Sequence, residues 1–165
     1  MINITLPDGS IKKVQNETTP MDIAMSISEG LARNVLSASI DGKVCDANSK
    51  LKTDCNLKLH TWNDKEGKMS FWHSSAHIMA EALEAIYPGV KLGIGPAIEN
   101  GFYYDIDLGE RILSSDDFPK IEEKMKEIAD SKLSFERKEI SKKDAIAYFK
   151  AKGDEYKLEL IEDLK

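Results

Sequence analysis

The sequence predicts an α+β protein made of two successive blocks. Short strand-like runs separated by turn residues crowd residues 1–62 around a single helix signal. A polar, glycine-containing stretch follows at residues 63–68, Asn63-Asp64-Lys65-Glu66-Gly67-Lys68, and reads as a linker. From residue 69 to 165 longer helical periodicities alternate with strand and hairpin signals, the pattern of a mixed α/β domain.

In the first block INITL leads into Pro7-Asp8-Gly9, a turn sequence, and SIKKV returns as the second strand of a hairpin. Thr19-Pro20 opens a helix: threonine caps free N–H groups, and proline is tolerated at the first helical position. Asp22 adds a favourable negative charge near that end, and Gly30 is the expected stop. VLSASI and KVCDA flank the hairpin turn Asp41-Gly42, and NLKLHT forms a last strand ending near residue 61. Strands flanking one helix within about 60 residues predict a β-grasp, the ubiquitin-like arrangement, with one helix face buried on one sheet face. No acid, base and nucleophile cluster there, so the block reads as a binding or spacing module. His60, at the end of the last strand, is expected at the surface.

The second block opens with a helix through SFWHSSAHIMAEAL, ended by Pro88-Gly89. VKLGIGPAI and FYYDID flank Asn100-Gly101, a two-residue hairpin signal. Ser114-Ser115-Asp116-Asp117 caps a helix through FPKIEEKMKEIADSK. LSFERKEI reads as a strand, KKDAIAYFKAK as a helix ending at Gly153, and EYKLELIEDLK as the start of another strand.

Composition narrows the class. With 41% hydrophobic and 32% charged residues the 165-residue chain is that of a soluble globular protein. No apolar run approaches the roughly 18–20 residues of a membrane span, and MINITLPDGS lacks a signal peptide's basic start and apolar stretch. Cys45 and Cys55 make no disulfide framework and fit no zinc motif, which points to a reducing cytoplasm. The net charge of −6 arises wholly in residues 61–165, with 16 basic and 22 acidic side chains against seven of each before them. That balance argues against gripping nucleic acid by bulk charge. Lys138, Lys142, Lys143, Lys150, Lys152 and Lys157 form either a local basic face or a solvated mixed-charge surface.

Two of the three histidines, His73 and His77, sit four residues apart in the first helix of the second block. With about 100° per residue, Ala76, Met79, Leu83 and Ile86 fall within about 40° of Trp72 and Tyr87 within about 60°, and together they make the apolar stripe. His73 and His77 fall near 100° and 140°, beside the stripe, with their rings roughly 6 Å apart along the axis. Surface residues, metal ligands and acid–base groups all fit that placement. Metal binding has thin support: Ser74 stands where a zinc protease has glutamate, and the block offers no further cysteine or histidine as third ligand. Acid–base work needs polar partners, and the hairpin GIGPAIENGFYYD is the candidate wall. Gly93 and Gly95 are expected to leave space for a ligand, while Phe102, Tyr104 and Ile106 share one strand face and Tyr103 and Asp105 the other.

ITLPDGS, TTPMDIA, WHSSAHIMAEAL, GIGPAIENGFYYDID and GDEYK, in this order, resemble the N-terminal region of a bacterial-type threonyl-tRNA synthetase across nearly the whole chain. The resemblance implies a TGS domain of β-grasp fold over residues 1–62 and an editing domain, incomplete, over 69–165. It implies that His73 and His77 are catalytic and that Tyr104 and Lys157 bind substrate in hydrolysis of seryl-tRNA. The partner would be the aminoacylated terminal adenosine of tRNA. Threonine, ATP, magnesium and zinc belong to the catalytic core of the full-length family, which is homodimeric; no metal or cofactor is expected within this chain. The family completes the editing pocket with a later C-x-x-x-H segment, so the chain looks like a piece of a larger enzyme with little activity alone. A non-catalytic binding module, or a stand-alone hydrolase or metalloprotein using the two helix histidines, are the competing readings.

Overall fold

The computed structural model describes residues 1–135 and 138–164. The chain divides into two compact units, Met1–Trp72 and His73–Lys165.

In the first unit β1 (Ile2–Thr5) pairs antiparallel with β2 (Ile11–Val14). The turn between them places Gly9 at φ 82°, and the Asp8 carboxylate accepts the Ser10 N–H at 2.9 Å. Helix α1 (Pro20–Ile27) carries the expected start: the Thr19 hydroxyl accepts the Asp22 N–H at 3.1 Å, and Asp22 accepts the Thr19 N–H at 2.9 Å. Such reciprocal caps are worth about 1 kcal/mol. The stop is not Gly30. Ser28 turns extended, accepts the Leu31 N–H on its side chain at 3.0 Å, and launches a second helix, α2 (Glu29–Asn34), that contains Gly30. A serine able to cap outcompetes a glycine that merely permits a stop.

Strands β3 (Ser37–Ile40) and β4 (Lys43–Cys45) meet at Asp41-Gly42, with φ of 48° and 81°, the left-handed pair a tight hairpin demands. With β5 (Cys55–His60) the sheet order is β2-β1-β5-β3-β4, in which β1 and β5 run parallel. This is the β-grasp arrangement. Ile2, Ile4, Ile23, Ala38, Leu51, Cys55 and Leu57 fill the core.

His60 departs from expectation: it is only 2% exposed. Alternation along β5 does put it with Asn56 and Lys58, opposite the core-facing Cys55 and Leu57. That outer position is covered because the chain turns back immediately. The Asp64 carboxylate accepts the Thr61 N–H at 2.9 Å, and helix α3 (Lys65–Ile86) begins inside the segment expected as linker. Gly67 is not there for flexibility. A Cβ at that position would lie 2.1 Å from the Thr61 carbonyl oxygen, so only glycine admits the returning backbone. Trp62, Phe71 and Trp72 then cluster edge-to-face at 5.2–5.4 Å.

In the second unit α3 continues, and β6 (Lys91–Leu92) pairs with β9 (Ile106–Asp107) while β7 (Ala97–Ile98) pairs with β8 (Gly101–Phe102). Ile98 faces Gly101, so the tight turn is Glu99-Asn100, one residue earlier than expected, and Gly101 at φ 145° begins the strand. A 3-10 turn, Ser115–Asp117, feeds α4 (Phe118–Asp130). Asp117 accepts the Ser114 N–H, the Arg111 guanidinium at 2.6 Å and the Tyr87 hydroxyl at 3.1 Å. These donors, the Ser114 N–H foremost, hold its pKa down to about 2.

Helix α5 (Lys142–Lys152) ends at Gly153, left-handed at φ 73°. Two expected strands are not seen among the described residues. Residues 133–135 and 138–140 are irregular, and the remaining two of LSFERKEI lie outside the described residues. The tail forms helix α6 (Glu155–Glu162), capped by the Asp154 side chain on the Lys157 N–H at 3.0 Å. Its half-buried positions, Asp154, Lys157, Leu158 and Ile161, have helical and not alternating spacing. Ala80, Leu83, Tyr87, Leu92 and Ile121 form the core of this unit. Among the described residues, no helix is long and apolar enough to cross a membrane.

The two helical glycines predict opposite responses. Gly67→Ala destabilises the first unit by about 1–3 kcal/mol through backbone overlap. Gly30→Ala, with nothing nearer than the Ser28 hydroxyl at 3.9 Å, is neutral or stabilises by about 0.5 kcal/mol. Chemical denaturation of the two variants reads both.

Candidate functional site

The site grows from the second-unit part of α3. Ala76, Leu83 and Tyr87 are 1%, 2% and 7% exposed, so the apolar stripe is buried as the helical phase requires. That burial turns the flank outward, and both His73 and His77 are exposed there. Their Nε2 atoms stand 3.1 Å apart, with ring centroids at 4.7 Å and planes at 83°. A hydrogen bond between two imidazoles needs one ring as N–H donor and the other as lone-pair acceptor.

Partial desolvation, followed by the positive charges of His73 and Lys157, pulls the His77 pKa below 6.5. At pH 7 this ring is therefore neutral and able to take a proton. Lys157, in the first turn of α6, donates its Nζ to the Gly93 carbonyl at 2.9 Å. The hairpin segment is thereby tied to the helix that carries the ammonium. Gly93 in turn donates its N–H to the Asp105 carbonyl at 2.8 Å, and Asp105 donates to Ile94 at 3.0 Å.

Tyr104 lies inward with Phe102 and Ile106, while Tyr103 and Asp105 face out, as alternation requires. Its phenol pKa is raised by burial first, then by the negative charges of Asp154 and Glu84. The ring occupies the space over Gly95, where a Cβ would come within 2.2 Å of Cδ2; a Cβ on Gly93 would press the Asp105 Cβ at 3.1 Å. The glycines thus make room for the protein's own hairpin, not for a ligand. Tyr104 also lines an apolar cleft of about 380 Å³ with Met79, Leu83, Phe102 and Ile121, a cleft the histidines do not line.

Of the four residues singled out by sequence, His73, His77 and Lys157 therefore share one electrostatic neighbourhood, and Tyr104 joins it through Asp154, whose charge it feels and which caps the helix of Lys157. Phe135 was missed: its ring lies 6.5 Å from that of His77, at a segment that read as strand. Asp154 was legible as a cap, had the tail read as helix. The basic run is largely committed within the unit, with Lys142 bonded to the Glu162 and Leu164 carbonyls and Lys152 to Glu84.

Because the folded His77 pKa lies below 6.5, the unfolded chain takes up that proton first, and stability falls as pH drops from 6.5 through the folded value. An NMR titration of the His77 ring gives a midpoint below 6.5, and Lys157→Met raises it. A midpoint at or above 6.5 contradicts the assigned environment.

Residues 2–61 match the TGS domain family. The threonine–tRNA ligase of Cytophaga hutchinsonii is 61% identical over 164 residues, 99% of this chain and 25% of the relative. That of Flavobacterium psychrophilum is 53% identical over 100% of this chain and 25% of the relative, and that of Clostridioides difficile 52% over 99% and 26%. The chain spans about a quarter of the length of the curated relatives it matches. Residues 2–61 are thus similar to TGS domains, and the chain as a whole is similar to the N-terminal part of the bacterial threonine–tRNA ligases.

Proposed function

We propose that this chain supplies the N-terminal, proofreading region of a threonine–tRNA ligase, with residues 69–165 contributing to hydrolysis of serine wrongly esterified to threonine tRNA. The whole enzyme would join threonine to its tRNA with ATP, using magnesium and zinc, as a cytoplasmic homodimer. Serine lacks only one methyl group of threonine, and one methyl discriminates by about 1–3 kcal/mol, or about 10–200-fold. A second, hydrolytic site makes up the deficit.

The observation that carries this reading is the imidazole pair at 3.1 Å with His77 held neutral. Desolvation, followed by neighbouring positive charge, keeps His77 neutral at pH 7 and free to accept a proton. That suits general-base chemistry at neutral pH: one ring takes a proton from the attacking water while the other, still neutral, orients the ribose or ester. The proton then passes to the departing ribose oxygen. Lys157, positioned by Gly93, offers an ammonium to the seryl group or nucleotide, and Tyr104 forms an apolar wall. The TGS unit is assigned to tRNA binding. A C-x-x-x-H segment further along the full enzyme completes the pocket on this reading.

Grafting this chain in place of the matching quarter of the Cytophaga hutchinsonii enzyme tests it. The graft hydrolyses seryl-tRNA, the 165-residue chain alone does so weakly, and His73→Ala or His77→Ala in the graft slows cleavage by about 10²–10⁴-fold with aminoacylation retained. Undiminished deacylation in both variants rules out the assigned roles.

A further inference from the structure

The first unit holds a second histidine constellation that the proofreading reading does not use. We propose that His60, Asp64 and Glu66 form a binding site for a divalent transition-metal ion of the zinc class. One potential ligand atom from each residue lies within 4.8 Å of the others.

The imidazole of His60 is the strongest argument. Its ring is 2% exposed and is fixed by a 2.6 Å hydrogen bond between Nε2 and the Ser39 hydroxyl. In the tautomer whose Nε2–H donates to the Ser39 hydroxyl, the lone pair sits on Nδ1. That atom is fully buried and, among the described residues, has no hydrogen-bond partner, although leaving a buried polar atom unpaired is costly. It faces Glu66, whose Oε2 is 3.8 Å away, beyond hydrogen-bond length. A hydroxyl holding one ring nitrogen while the other points at carboxylates is the outer-shell arrangement that prepares histidine for a metal.

The carboxylates fit the same reading. Zinc bonds of about 2.0–2.2 Å set tetrahedral ligands roughly 3.4 Å apart, so the His60–Glu66 separation needs only a small closure. Glu66, with its side chain 43% exposed, has the freedom to make it. Asp64 is held by the Thr61 N–H on Oδ2, and its Oδ1 pairs with the Lys58 ammonium at 3.0 Å. An arriving cation displaces that ammonium, which sits on a half-exposed side chain and can swing into water. Access exists: His60, Glu66, Lys58 and Ser39 lie on the wall of a cleft of about 580 Å³, leaving further coordination positions for water.

A proton is the competing occupant of Nδ1. The tautomer with Nδ1–H towards Glu66, its Nε2 accepting from the Ser39 hydroxyl, would satisfy the same atom without a metal.

The test is calorimetric titration of zinc chloride into the chelator-treated 165-residue protein carrying His73→Ala and His77→Ala, which removes the other imidazole chelate. One ion binds, Glu66→Gln in that background weakens binding at least tenfold, and Lys58→Met tightens it. Both side chains are solvent-accessible, so these variants keep the fold, as circular dichroism checks. Nitrogen NMR then reports a zinc-induced shift at His60 Nδ1. Loss of all zinc binding in the double-histidine background, or indifference to Glu66→Gln, overturns the site. So does a His60 ring that keeps its proton on Nδ1 with zinc present.

Discussion

Burial of one apolar stripe on α3 fixes everything that the second unit presents to solvent. A helix with Ala76, Leu83 and Tyr87 packed inward has a single allowed rotation about its axis, since burying a side chain the size of Leu83 contributes about 1.5–3 kcal/mol. His73 and His77 are carried out on the flank by that rotation, one turn apart. Their 3.1 Å approach follows from helix geometry and needs no loop to be ordered first. A site built on such an element is held more accurately than one built on a turn.

Charge supplies the chemistry that geometry alone does not. Partial desolvation and the charge of His73 favour the neutral form of His77, and the Lys157 ammonium pushes it further that way. Lys157 is itself committed, by Gly93 at its tip and by Asp154 at its backbone N–H. Behind burial, the charge of Asp154 also raises the Tyr104 phenol pKa, so a capping residue with no evident role in the sequence acts on both candidate substrate contacts.

The first unit shows a different device. Its sheet buries one face conventionally, under Ile23 and its neighbours. The other face is covered at His60, where the chain doubles back through Thr61 to Asp64 and presses Gly67 against the Thr61 carbonyl. This return encloses His60 with two carboxylates that sequence separation alone would leave scattered over a strand end and a helix start. Alternation assigned His60 to the outer face correctly. It could not register that the outer face is roofed there.

Read alone, the sequence determined what local rules govern: both hairpins of the first unit, the Thr19 and Ser114 caps, the Gly153 stop and the phase of α3 with its outward histidine pair. Each depends on side chains within a few residues of one another, and the physical preference is written in those side chains. The order of strands, the burial of His60, the meeting of Lys157 with Gly93 and the placing of Tyr104 over Gly95 were settled only by tertiary structure. These contacts join residues far apart in the chain, and their energies arise from shape and desolvation that no local window contains. The tail marks the boundary between the two. Leu158 and Leu160 suit an alternating strand, and helix won because Asp154 caps it and a half-buried face at helical spacing rewards it.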